Sequence, residues 1–135
     1  MKLVEILVGP IGAGKSTYCK SFPNASIISQ DELGRKGHMK EYKEDLIDGI
    51  DHIIIDRMNF NKEQRKRYIK LALETKYEVK ITTLTGTYDE CLKRVLAREN
   101  HPTIAKGDEI TARKVLDFFF SNYEPPSDDE IRLGT

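Results

Sequence analysis

The sequence predicts an α/β fold, a parallel sheet covered by helices on both faces. Three observations carry that prediction. Apolar strand-like runs alternate with amphipathic segments along the whole chain, without repeats or low-complexity linkers, an order that implies right-handed crossovers between parallel strands. One run, His52-Ile53-Ile54-Ile55-Asp56, is continuously β-branched, as suits a central parallel strand buried on both sides. The first strand also leads straight into a glycine-rich turn that opens a helix.

Taken in order, Leu3-Val4-Glu5-Ile6-Leu7-Val8 reads as a buried strand, and Lys15 to Phe22 as a helix stopped by Pro23-Asn24. Ala25 to Ser29 is a short strand whose end delivers Gln30-Asp31-Glu32-Leu33-Gly34-Arg35. From Arg35 to Lys43 the chain is polar and is expected to form a mobile segment near the site. Glu41 to Asp48 is a candidate helix with Tyr42, Leu46 and Ile47 on its apolar side, closed by Gly49. After the β-branched strand, Asn61 is the expected N-cap of a helix running to Thr75, with Tyr68, Leu71 and Ala72 inward and the basic residues mostly on other sides. Tyr77 to Thr85 is the next strand. Thr87 caps a helix from Tyr88 to Glu99, with Leu92, Val95 and Leu96 inward. His101-Pro102 breaks that pattern, and Pro102 to Gly107 reads as a loop. Asp108 starts a last helix to Tyr123, which Pro125-Pro126 ends before an acidic tail.

The 135 residues are expected to form one domain, residues 1–135, with a core of its own. Hydrophobic residues at 39% and charged residues at 33% describe a globular chain, and no apolar run approaches the ~20 residues that span a bilayer. The start is too short for a signal peptide before the first strand, and the two cysteines, Cys19 and Cys91, read as reduced packing residues in helices. A cytoplasmic setting with no membrane partner is the expectation. The net charge of zero conceals segregation: residues 56–70 hold six basic and two acidic side chains, residues 117–135 five acidic and one basic. A strongly basic, dedicated nucleic-acid binder is therefore excluded, and any polyanion contact must be local. His38, His52 and His101 have no metal-ligand spacing and are assigned no role.

The chemistry centres on Gly9-Pro10-Ile11-Gly12-Ala13-Gly14-Lys15-Ser16-Thr17, which fits G-x-x-x-x-G-K-[ST] between a strand and a helix. Gly9, Gly12 and Gly14 let the backbone, Ala13 included, wrap a polyphosphate with its N–H groups inward. Lys15 can reach the β- and γ-phosphates, Ser16 can ligate Mg²⁺, and Thr17 can bond the α-phosphate. ATP or another nucleoside triphosphate is the implied ligand.

Asp31 and Asp56 each follow a predicted strand, so both should meet the glycine loop beyond the carboxyl ends of the sheet. Asp31 is the candidate base or orienting carboxylate for a phosphoryl acceptor, with Glu32 a weaker competitor; the plainer role is a helix N-cap. Asp56 could hold a water on Mg²⁺ or bond Ser16; the plainer role is a loop carboxylate paired with Arg57. Arg94 and Arg98 share a helix face ahead of a loop and suit a lid that places an arginine on the transferring phosphate, or else form a solvated basic face. The basic stretch from Arg65 to Lys70 is either solvated or a nucleic-acid contact.

Together these segments resemble the 5′-hydroxyl polynucleotide kinases, both the phage type and the kinase domain of the animal polynucleotide kinase–phosphatases. Gln30-Asp31-Glu32-Leu33-Gly34 is similar to the R-D-x-L-G of the animal enzymes. Asp56-Arg57-Met58-Asn59 and Arg65-Lys66-Arg67-Tyr68 are similar to their D-x-T-N and R-x-R-Y. Lys93-Arg94 and Arg98 resemble the lid arginines, and Asn122-Tyr123-Glu124-Pro125-Pro126 the tail after the final helix. The resemblance spans nearly the whole chain through short motifs in the same order. It implies an adenylate-kinase-like P-loop fold, with Lys15, Asp31 and Arg98 as catalytic residues. Asp31 would be the general base on the 5′-hydroxyl, and Arg98, with Arg94 as a second candidate, would sit on the donor phosphates. Asp31, Arg35 and Arg57 would face the acceptor. Phage-type enzymes have an arginine three residues after the base, where this chain has Gly34; Arg35 is one step late, and Met58 replaces the threonine.

The reading is transfer of the γ-phosphate of ATP, with Mg²⁺, to the 5′-hydroxyl of DNA or RNA. The expected partners are nucleic-acid ends; these residues leave no room for a phosphatase or ligase domain, so the chain either acts alone or is a kinase module cut from, or working beside, such partners. The alternatives are a small-metabolite or nucleoside kinase on the same fold, and a nucleotide-binding accessory module.

Overall fold

The computed structural model describes residues 2–98, 104 and 106–133; for residues 31, 32 and 131–133 it describes the backbone alone. The elements run β1 (Leu3–Val8), α1 (Lys15–Lys20), β2 (Ser26–Ser29), α2 (Gln30–Asp48), β3 (His52–Asp56), α3 (Lys62–Glu74), β4 (Glu78–Thr83), α4 (Tyr88–Ala97), α5 (Glu109–Asn122) and α6 (Asp128–Leu133). The sheet has four strands in the order β2-β3-β1-β4, and every pairing is parallel. Leu3 lies opposite His52 on one side and Glu78 on the other, and Ser29 opposite Asp56. The register brings the ends of β1, β2 and β3 to one edge.

Both faces are covered, as the sequence predicts. Val4, Ile6, Ile28, Ile53, Ile55 and Val79 pack under Tyr42 and Leu46 of α2 and Tyr68, Ile69 and Ala72 of α3. On the other face Leu7 and Ile54 meet Cys19 of α1, with Tyr18 and Phe22 alongside. Full burial of each isoleucine or leucine contributes roughly 1.5–3 kcal/mol, so the central strands carry much of the stability. One buried polar residue interrupts this core. Glu5, 1% exposed in mid-β1, accepts hydrogen bonds from Tyr18 and from Thr82 Oγ1 (2.6 Å), and lies 3.0 Å from His52 Nε2. Burial pushes its carboxyl upward, but the bonds from Thr82, Tyr18 and His52 outweigh that and hold it below its ordinary value.

The expected caps are in place. Asn61 Oδ1 accepts from Gln64 N at 2.9 Å, Thr87 and Glu90 form a capping box, and Asp108 Oδ1 accepts from Thr111 N at 3.1 Å. The helix expected to reach Glu99 ends at Ala97; Glu99, His101, Pro102 and Ala105 lie outside the described residues.

Two expectations are corrected, and one element is added. The polar segment from Arg35 to Lys43 is helical, part of α2, with a break at Gly34 (φ 78°, ψ 169°). The polarity hides an inward side: His38 and Tyr42 are fully buried, and Met39 packs on the core. The tail after Pro125-Pro126 folds back. Glu124 N donates to Phe60 O at 2.7 Å, and Ser127 and Glu130 cap α6 reciprocally. Finally, Arg65 does not belong to a solvated face. It is completely buried, its Nε 2.7 Å and Nη2 3.1 Å from the two Glu130 carboxylate oxygens.

Candidate active site

The glycine loop leaves β1 and is clamped from three sides. Gly9 N donates to Met58 O at 3.1 Å, which ties the loop to the segment after β3. A Cβ at Gly9 would lie 2.4 Å from Leu84 O, and one at Gly12 would lie 2.6 Å from Cys91 O, so backbone passes where a side chain would sit. Gly12 and Gly14 hold φ values of 79° and 97°, which favour glycine. Ile11 and Ala13 are buried against Cys91, Leu92 and Val95 of α4 and Ala112 and Leu116 of α5. The motif's apolar positions thus dock the loop on the α4–α5 pair. The Ala13 N–H turns inward to Pro10 O at 3.2 Å.

Lys15 Nζ lies over the loop and donates to the carbonyls of Gly9 (3.0 Å) and Pro10 (2.7 Å). Ser16 and Thr17, in the first turn of α1, are exposed. Asp56 ends β3 half-buried. Its charge and that of Lys15 both reach the Cys19 thiol of α1: burial first, then Asp56 and Glu5, push that thiol up to about 12, while Lys15 opposes them. The carboxylate at the end of β3 is therefore a neighbour of the helix that carries Lys15 and Ser16. Among the described residues, no group of three or more His, Cys, Asp or Glu side chains is gathered as for a resident metal.

Arg94 of α4 reaches the loop: its Nη1 donates to Gly12 O at 3.2 Å, and its Nη2 lies 3.8 Å from Glu90. Arg98 is the half-buried C-cap of α4, its N–H donating to Val95 O at 3.2 Å. Of the loop predicted over residues 102–107, residues 102, 103 and 105 lie outside the described residues. Asp31 is the second residue of α2, and Ser29 holds the N-cap position, so Asp31 is not the cap. Because Ser29 pairs with Asp56, Asp31 and Asp56 leave adjacent strands at the same edge. Arg35 is exposed on α2.

Arg57, one residue beyond β3, belongs to a cluster that sequence reasoning missed. Its Nη1 donates to the Tyr68 hydroxyl at 2.5 Å, and Arg67 Nη2 approaches the same oxygen at 3.3 Å. Both guanidinium groups lie over the Tyr68 ring, 5.9 and 5.2 Å from its centroid. Tyr42 OH donates to Tyr68 O at 2.7 Å and fixes the backbone. His38 completes the cluster, with Nε2 2.8 Å from the Tyr68 hydroxyl and Nδ1 3.0 Å from Gly34 O. Burial, and then the Arg57 and Arg67 charges, lower the His38 pKa, with the Gly34 carbonyl opposing. The imidazole is thus neutral near pH 7. Its Nδ1–H must donate to Gly34 O, so Nε2 accepts from the Tyr68 hydroxyl. The phenolic oxygen is left to accept from both arginines. Only Arg67-Tyr68 had been visible as a motif; no local signal ties it to His38.

A second network supports the segment after β3. Asn59 is fully buried at φ 46°, and its Nδ2 donates to Leu7 O at 2.7 Å. Asn59 O accepts from Arg65 Nη1 at 2.8 Å. The C-terminal tail, through Glu130 and Arg65, therefore braces the segment carrying Asp56 and Arg57 against the strand that enters the glycine loop. Burial pushes the Glu130 carboxyl upward, but the bonds from Arg65 and Ser127 outweigh it and hold the pKa low.

With this geometry in hand, comparisons with known proteins identify the architecture. No protein-family model matches the chain. Its backbone superposes on the crystal structure of a fungal RNA kinase with a TM-score of 0.69 and 18% identity, over 96% of this chain and 36% of that one. The fold is the P-loop kinase fold. A chain of the Pnkp1/Rnl/Hen1 RNA repair complex matches with a TM-score of 0.63 and 17% identity, over 91% of this chain and 46% of that one. Chaetomium thermophilum Kti12, solved with ADP-AlF3, matches with a TM-score of 0.59 and 18% identity, over 92% of this chain and 81% of that one. In sequence, the Arabidopsis thaliana protein named transcription factor bHLH140 is 28% identical in an alignment of 121 positions that covers 82% of this chain and 13% of that protein. The chain thus spans a small part of this relative and under half of the RNA-kinase and RNA-repair chains. Among the described residues no helix is long and apolar enough to cross a membrane.

Proposed function

We propose that residues 1–135 form a single kinase domain that transfers the γ-phosphate of ATP to the 5′-hydroxyl of DNA or RNA. The observation that carries the reading is the meeting, at one sheet edge, of the glycine loop with Lys15, the β2 and β3 ends with Asp31 and Asp56, and the Arg57–Tyr68 cluster. The likeness to a fungal RNA kinase and to a chain of an RNA repair complex supports it.

In this reading Lys15 exchanges its bonds to Gly9 and Pro10 for donor phosphate oxygens and neutralises their charge. The amides of the loop from Gly9 to Thr17 hold the donor in line. Arg94, already on Gly12, and Arg98 approach the phosphates from the lid side. Asp31 takes the proton of the acceptor hydroxyl as its oxygen attacks the γ-phosphorus, and ADP departs. Ser16 and Asp56 are hard oxygen donors that fit Mg²⁺, Ser16 directly and Asp56 through water. A bound ion would supply charge neutralisation for the donor phosphates. Arg35 and Arg57 face the acceptor. A phosphatase or ligase module, in the same protein or beside it, would prepare or use the 5′-phosphate end.

The test is transfer of labelled γ-phosphate from ATP to 5′-hydroxyl oligonucleotides, comparing wild type with Lys15→Ala and Asp31→Ala. Transfer lost in both, with ATP binding kept in Asp31→Ala, is the expected result. ATP binding without transfer to any DNA or RNA would overturn the reading, in favour of a small-molecule kinase or an accessory nucleotide-binding module.

A further inference from the structure

We propose that Arg57 and Arg67, converging on the Tyr68 hydroxyl, form a phosphate subsite for the acceptor strand, and that the groove between α2 and α3 takes the strand's continuation. This rests on the kinase reading and specifies its substrate as a short strand rather than a lone nucleoside.

Two guanidinium groups on one phenolic oxygen are mutually repulsive, and none of the ion pairs among the described residues supplies a carboxylate to either. The arrangement is instead held by the Tyr68 hydroxyl, which lies 2.8 Å from His38 Nε2 on its other side. Each arginine spends one N–H on that oxygen, and a guanidinium has five, so several donors remain for a planar, bidentate grip on phosphate. Arg67 is exposed and Arg57 half-buried, so an anion can reach the pair from solvent.

The position fits an acceptor. Arg57 follows Asp56, which pairs with Ser29, two residues before Asp31. His38 ties the cluster to Gly34, within a turn of Asp31, and a Cβ at Gly34 would meet nothing within 4 Å. Gly34 thus leaves an open approach, and Arg57 and Arg67 are joined to it through Tyr68 and His38. Beyond Arg67 runs a groove of about 350 Å³ lined by Met39, Lys43, Arg67, Lys70, Leu71 and Glu74. Lys43 and Lys70 face further phosphates, while Met39 and Leu71 offer an apolar floor to a sugar or base. Glu74 also lines the groove, 4.0 Å from Lys70. The purely structural role, cation–π packing of α3 on the end of β3, predicts effects on stability but none on acceptor length.

The experiment measures transfer to a nucleoside, its 3′-phosphate, and 5′-hydroxyl oligonucleotides of increasing length, together with fluorescence anisotropy of a labelled oligonucleotide. In wild type the first 3′-phosphate should lower the acceptor KM about tenfold or more, as charge-assisted bonds do. Arg67→Gln should erase that step and leave the KM for ATP alone. Lys43→Gln with Lys70→Gln should raise KM for the longer acceptors and weaken oligonucleotide binding with a shallower salt dependence. Wild-type transfer with unchanged length dependence in these variants would overturn the subsite and leave the kinase reading standing. Oligonucleotide binding that Arg67→Gln weakens, without transfer, would keep the subsite and overturn the kinase reading. No oligonucleotide binding by the wild type would overturn both.

Discussion

Replacing Glu130 with glutamine strips the charge partner from an arginine that has no access to water. Arg65 is 0% exposed, and of its contacts only the Asn59 carbonyl, 2.8 Å from Nη1, would keep its full strength. Leaving a buried charge without its partner typically costs about 3–5 kcal/mol. Here Glu130 is 9% exposed and α6 is a six-residue helix, so the tail can lift and admit water. Release of the tail caps the penalty, and the expected loss is roughly 2–4 kcal/mol. Urea unfolding followed by circular dichroism measures it, as a lower midpoint at unchanged slope. Because Arg65 also holds Asn59, acceptor transfer should fall in the same variant even at temperatures where it stays folded. The double variant Arg65→Met with Glu130→Leu removes both charges and should recover most of the stability. A Glu130→Gln protein within about 0.5 kcal/mol of wild type, the usual range for surface changes, would refute the argument that the tail is a latch.

Gly34→Ala places a side chain at φ 78°, ψ 169°, a region nearly exclusive to glycine, and should cost about 1–3 kcal/mol. Since the site has open space, that cost is backbone strain, and relieving it by straightening α2 would move Asp31 and reduce kcat more than ATP affinity. Cys19, held near 12 by burial and by Asp56, and the buried Cys91, also shifted up, should react with thiol reagents only on unfolding, as timed mass spectrometry would reveal. Glu5 titrates below its ordinary value of 4.5 in the fold, so it contributes stability above that pH which is lost as pH falls through the lower folded value. Glu5→Gln should therefore flatten the acid limb of a melting-temperature profile; an unchanged limb would show that other carboxylates control it.

Much of this fold was legible because its signals are local. Ile53 to Ile55 could only be a strand buried on both faces, and Asn61, Thr87 and Asp108 could cap because a cap needs nothing beyond its own first turn. The glycine loop was legible for the same reason, since its turn geometry and its lysine lie within nine residues. α6 was missed although Ser127-Asp128-Asp129-Glu130 carries a capping-box pattern, because the residues after Pro125-Pro126 were read only as an acidic tail. The helix over 41–48 was expected, but its extension back through residues 35–40 was missed because the inward residues there are His38 and Met39 rather than an aliphatic stripe.

The sequence by itself determined the parallel α/β order, the phosphate-binding loop and the sheet edge on which Asp31 and Asp56 emerge. These follow from periodicity, β-branching and glycine placement, which act within one element and its neighbours. Tertiary structure alone decided which charges meet. Arg65 and Arg67, two positions apart on α3, part ways: one is sealed against Glu130 of the tail, the other lies with Arg57 over Tyr68. Glu130, the partner of Arg65, lies 65 positions away, and Tyr68, which holds Arg67, is oriented by His38, 30 positions from it. Electrostatic and hydrogen-bond energies depend on distance in space and on burial, which the packing of α2, α3 and the tail sets and local sequence pattern does not.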